Sequence, residues 1–105
     1  MKTLCHRELK RVFDYYNARY FDGKLPSDTD VMFAPTENCI GIAEVDHGGF
    51  IVTIDPKYAI EGRTWRLTLL HEMVHLKLYP ARTHGNTFQQ QMFRLAILGA
   101  FRQLW

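Results

Sequence analysis

Apolar residues recur along the chain with two different periods, and the changes of period divide it into elements. Over residues 4–21, Leu9, Val12, Phe13, Tyr16 and Tyr20 fall at i, i+3, i+4, i+7 and i+11 among Arg, Lys and Glu. That is the stripe of an amphipathic helix. Phe21-Asp-Gly-Lys-Leu-Pro ends it: Gly23 suits a left-handed residue after the last turn, and Pro26 prevents the helix resuming. Residues 31–34, 39–45 and 50–55 read as strands. Ile40, Ile42 and Glu44 alternate with Gly41, Ala43 and Val45, while Phe50, Val52 and Ile54 alternate with Ile51 and Thr53. Asp46-His-Gly-Gly between the last two is a turn whose glycines supply positive φ. Residues 39–55 are therefore predicted to be an antiparallel hairpin, in a small antiparallel sheet of about three strands.

The pattern changes again over residues 64–78. On a helical wheel only Arg66 and Lys77 make a charged stripe there, about 20° apart. Most of the remainder is apolar, so this helix is expected to be packed on several sides. Pro80 stops it. A final helix is predicted from about residue 86 to 104, with Phe88, Met92, Leu95, Ala96 and Gly99 on one face. The fold class expected is α+β: an N-terminal helix, the sheet, a buried helix and a C-terminal helix.

Composition bounds this picture without redirecting it. A chain of 105 residues with 47% hydrophobic and 23% charged positions reads as one ordinary globular domain spanning 1–105. About two-thirds of its surface should be buried on folding, enough for a core without staples. No apolar run is long enough to span a membrane. The start is charged by position 7 and has no apolar stretch, so no signal peptide is expected and the default compartment is the cytosol. Cys5 and Cys39 are isolated and read as reduced, packed thiols. Net charge is +2, unevenly spread. Glu72 is the last acidic residue, and Lys77, Arg82, Arg94 and Arg102 follow it, giving +4 over residues 73–105. A solvated basic face explains that; so does a cationic surface for polyanions, and weak, non-specific, salt-sensitive DNA binding is the partner expectation. Arg94 and Arg102, eight residues apart, would share a face of the last helix.

The buried helix contains His71-Glu72-Met73-Val74-His75. Two histidines at i and i+4 lie about 40° apart on one face, so both imidazoles can reach one metal ion. Glu72 lies about 100° round from His71, placed to meet a water on that metal rather than to ligate it. The spacing assigns two Zn²⁺ ligands and a general base. Chance gives about 0.01 such matches in a chain of this length, so context decides. The context is a helix that otherwise excludes charge, where unpaired polar groups cost several kcal/mol. The rival explanation is two core histidines bonded to carbonyls with Glu72 in an ion pair.

A catalytic zinc usually takes three protein ligands. No Asp or Glu follows Glu72, and the only downstream histidine is His84, just past the Pro80 break and followed by Gly85. His84 is favoured as the third ligand because it is both chemically competent and close to the helix; His47, an upstream Asp or no third ligand remain alternatives. Gly85 would let the backbone approach the metal. Tyr79, Arg82, Tyr58 and His47 are candidates for stabilising an oxyanion, and Thr68 for bonding to a ligand histidine.

Tyr20-Phe-Asp-Gly-Lys-Leu-Pro, Gly41-Ile-Ala, Leu69-Leu-His-Glu-Met-Val-His and His84-Gly-Asn-Thr-Phe88, in that order, resemble the SprT-like zinc metallopeptidases, the family that includes the Spartan proteases. The resemblance runs from about residue 6 to 95. It implies a zincin-like α+β domain, with His71, His75 and His84 as zinc ligands and Glu72 as the catalytic glutamate. It also implies peptidase activity, in some members on proteins bound or crosslinked to DNA. Two functions of different class follow: a zinc endopeptidase, or a zinc-stabilised module that binds nucleic acid or protein with little or no turnover. A structural site needs no general base, so Glu72 favours the endopeptidase.

Overall fold

The structure is a computed structural model and describes residues 6–36, 41–46, 49–58, 62–80 and 84–102. Helix α1 (His6–Tyr20) forms where the stripe predicts it, and Leu9, Phe13, Tyr16 and Tyr20 are all buried. It stops because Asp22 and Gly23 turn to positive φ, 55° and 67°, a region least costly for glycine and tolerated by aspartate. Buried Asn17 fixes the turn. Its carbonyl accepts from the amides of Phe21 and Gly23, at 3.1 and 2.8 Å, and its carboxamide exchanges two hydrogen bonds with the backbone of Leu25.

Three strands follow, β1 (Asp30–Phe33), β2 (Gly41–Asp46) and β3 (Gly49–Ile54), in the sheet order β1-β3-β2. The hairpin is antiparallel, from Gly41 opposite Ile54 to Asp46 opposite Gly49, and Gly49 takes a φ of 142° at the turn. The expectation of an antiparallel sheet is corrected at β1, which runs parallel to β3 with Val31 opposite Val52 and Phe33 opposite Ile54. The sheet is mixed, and burial explains why. Val52 and Ile54 have no exposed surface, so β3 takes the centre. Its hairpin partner covers one edge, and β1, packed on α1, takes the other. Four residues carry no pattern that would have revealed the direction of β1.

Helix α2 (Gly62–Leu78) lies across β2 and β3 and also touches α1 and α3. That is why its sequence lacks a single polar side. Leu69, Leu70, Met73 and Val74 are wholly buried, with Leu9, Phe13, Val52, Ile54 and Leu95. Each such side chain stabilises the fold by about 1.5–3 kcal/mol, less the entropy of ordering it. No described helix is long and apolar enough to cross a membrane.

The last helix is shorter than the sequence suggests. α3 spans Asn86–Ile97 and does not continue toward 104. Gly99 is not a residue of its packed face but its stop: φ is 85°, its amide bonds to the Ala96 carbonyl, and the amide of Ala100 reaches back to the Leu95 carbonyl at 2.9 Å. This is the Schellman arrangement, with glycine in the left-handed position. Ala100 and Phe101 then fold into the core. Arg102 therefore lies beyond the helix, and Arg94 and Arg102 do not share a helical face. Arg94 is also committed internally, its Nη1 donating to the Tyr20 carbonyl at 2.7 Å and so capping the end of α1.

Candidate metal centre

His71 and His75 sit one turn apart on α2 and leave the same face of the helix. His84 directly precedes Gly85, the N-cap of α3. Docking of α3 on α2, to which Lys77 Nζ contributes by donating to Gln91 Oε1 at 2.7 Å, brings His84 onto that face. Nε2 of His84 lies 3.1 Å from Nε2 of His71 and 3.0 Å from Nε2 of His75. The potential ligand atoms of the three residues all fall within 4.8 Å of one another. Two nitrogens each about 2.0–2.1 Å from one zinc at a tetrahedral angle stand roughly 3.3 Å apart. The spacing therefore fits a single small ion, and three imidazoles suit zinc, copper, iron or nickel.

The floor of this cluster is Phe88, from the first turn of α3. Its ring centroid is 4.9, 4.7 and 4.8 Å from those of His71, His75 and His84, and the residue is buried. Phe88 thus limits how the three rings can turn. The apolar pattern placed Phe88 on a packed face and the family resemblance placed it in the motif that begins at His84; its spacing of four residues from His84 is the signal that it could stand beside the site. Gln89 adds a restraint, its Nε2 donating to the carbonyl of His84 at 3.3 Å. Gly85 has φ −76° and ψ −160°, extended backbone open to any residue, so no positive φ is required there.

Burial favours the neutral form of two of the three histidines. It lowers the pKa of His71 from 6.5 to about 4, with His75 and His84 as neighbouring potential cations adding to the effect. His75 is lowered too, by burial first and then by His84. Both imidazoles are thus neutral at neutral pH and ready to donate lone pairs.

Glu72, the next residue along α2, lies under the edge strand β2. It is 6% exposed, and burial raises its pKa from 4.5 to about 7, opposed only by a hydrogen bond from the Ala43 backbone amide. No ion pair to Glu72 is present among the described residues. Gly41 makes this approach possible. A Cβ at residue 41 would sit 2.8 Å from Thr68 Cγ2, 3.1 Å from the Thr53 carbonyl oxygen and 3.4 Å from Glu72 Cγ. Gly41→Ala is accordingly expected to lower stability by about 1–3 kcal/mol, read by thermal denaturation. Thr68→Ser should restore only part of it, because the Thr53 backbone cannot yield. A Gly41→Ala protein as stable as the parent would show that β2 does not rest this closely on α2.

Of the remaining sequence candidates, Thr68 and Tyr79 have partners other than the three histidines. Thr68 Oγ1 donates to the Thr64 carbonyl and its methyl faces Gly41, so it fills space beside β2 and makes no bond to His71. The Tyr79 ring packs edge-on against Phe50, centroids 5.1 Å apart. His47, Arg82, Cys5 and Cys39 lie outside the described residues, as does the side chain of Tyr58.

Two histidines of α2 and one from the segment before α3 stand around one point on an α+β frame, positioned so that they could hold a metal ion. The family model that matches the chain, over residues 9–101, is that of the SprT-like family, and the chain belongs to this family. The match takes in every element except the first turn of α1. No curated protein matches the chain significantly.

Proposed function

We propose that the chain is a zinc-dependent endopeptidase, with residues 1–105 as one zincin-like domain. The observation that carries this reading is Glu72. A carboxylate buried without a counter-ion among the described residues, adjacent in sequence to His71 and with its pKa raised to about 7, costs stability. A metal site that only braced the fold would gain nothing from it. A general base working near neutral pH would, because such a base is most effective when its pKa lies near the working pH. Membership of the SprT-like family supports a metallopeptidase-like activity.

In this reading His71, His75 and His84 hold the ion through Nε2. Zinc, when bound, supplies a Lewis acid that polarises a peptide carbonyl and makes water a better nucleophile near pH 7. Glu72 takes the proton from the attacking water and passes it to the departing amine. The Ala43 amide steadies the carboxylate from β2, an edge of the sheet. A substrate added as a further strand along that edge would be held chiefly by backbone hydrogen bonds, with little demand on its sequence.

The test is metal removal. Dialysis against 1,10-phenanthroline is expected to stop cleavage of an unstructured protein such as casein, and about one equivalent of Zn²⁺ per chain should restore it. Cleavage that persists after metal removal would overturn the reading. Tight zinc binding without turnover of any unstructured substrate would favour the zinc-stabilised binding module instead.

A further inference from the structure

Away from the metal centre, α1 and α2 enclose a groove of about 620 Å³ whose walls include Arg7, Arg11, Arg66, Glu8, Tyr15 and Tyr16. Arg7, Arg11 and Tyr15 follow one another at four-residue spacing along α1. Arg66 faces them from the first turns of α2, its guanidinium carbon 5.2 Å from the Trp65 ring centroid. Its Nε is buried and has no hydrogen-bond partner among the described residues. None of the three arginines forms an ion pair among the described residues, and neither does Glu8. Placing a guanidinium where one donor is cut off from water costs a hydrogen bond that no acceptor in the described chain supplies. The buried Nε is itself out of a ligand's reach, but it holds the Arg66 guanidinium in place at the groove wall, where an exogenous oxyanion could pair with it together with Arg7 and Arg11.

We propose that this groove binds a phosphate dianion carried on a small polar molecule. Three guanidinium groups and one carboxylate leave two positive charges, matching a phosphomonoester. Arginine is the side chain whose planar fork best fits phosphate oxygens. Tyr15 and Tyr16, ring centroids 5.9 Å apart, provide an apolar wall for the rest of the ligand, and Glu8 can accept from a hydroxyl or amino group on it. The volume is that of a small-molecule site. Glu8 within the same groove would repel a continuous run of phosphates, so a compact ligand fits better than a polyanion. The proposal is independent of the peptidase reading.

The experiment titrates inorganic phosphate and adenosine 5′-monophosphate into the zinc-loaded full chain at low salt. Binding is followed by calorimetry and by the arginine Nε–Hε resonances. Saturable binding that moves the Arg66 resonance is expected. Arg66→Lys keeps the charge but loses the fork, and should weaken binding roughly ten- to a hundredfold. Tighter binding of the nucleotide, with the advantage removed by Tyr15→Ala, would support a nucleotide-like ligand; equal affinity would support free phosphate. Absence of saturable binding overturns the proposal. So does an Arg66→Lys protein that binds as tightly as the parent, the result expected if phosphate sits on the metal. Should Arg66→Lys not fold, Arg11→Gln on the exposed side of α1 decides in the same way: undiminished binding overturns the proposal.

Discussion

Glu72→Gln is expected to reduce peptide hydrolysis by about 10²–10⁴-fold while leaving zinc content unchanged. The same substitution should make the metal-free protein more stable at pH 8. In that protein burial raises the Glu72 pKa from 4.5 to about 7, so the folded state holds the proton more tightly than the unfolded state. The stabilisation that comes from holding it is complete below pH 4.5 and is lost as pH rises through 7. At pH 8 the folded protein carries an ionised, buried carboxylate, and the neutral amide of glutamine removes that cost, by at most about 3 kcal/mol. At pH 4 parent and variant should differ little. A bound dication near the carboxylate would shrink the difference, so the comparison is made after chelation. Denaturation midpoints at the two pH values test it. Undiminished cleavage would remove Glu72 from the mechanism. An equal stability difference at pH 4 and pH 8 would show that its burial is not what perturbs it.

His84→Ala should weaken zinc binding by at least roughly a hundredfold, since losing even the outer partners of metal ligands costs 10–100-fold. His71→Ala and His75→Ala should weaken it as strongly. His84 is the more telling position. It is exposed and precedes α3, so its loss removes a nitrogen 3.0–3.1 Å from the other two without opening the core. Metal content after competition with a chelating dye gives the affinity. If His84→Ala holds zinc as tightly as the parent, the third position belongs to another group.

What the sequence made legible was whatever repeats. Leu9, Phe13, Tyr16 and Tyr20 marked α1, the alternation on either side of Asp46-His-Gly-Gly marked the hairpin, and the H-E-x-x-H spacing marked the face of α2 that His84 joins. Three things were hidden, each for a physical reason. The direction of β1 depends on which edge of β3 is left uncovered, a tertiary matter that four residues cannot encode. Gly99 fitted the spacing of an apolar face as a small residue, and only its φ shows it to be the end of the helix. The hydrogen bond to Glu72 comes from the backbone of Ala43, and a backbone donor leaves no mark in the choice of side chain.

That same bond links two equilibria. The Ala43 amide favours the charged form of Glu72 while burial under β2 favours the neutral form more strongly, so any ligand that moves β2 relative to α2 shifts the proton affinity of the carboxylate. Thermodynamic reciprocity requires the converse: gain or loss of that proton changes how firmly β2 is held. The edge strand and the carboxylate therefore share one coupling free energy, and the position of β2 is itself a function of pH.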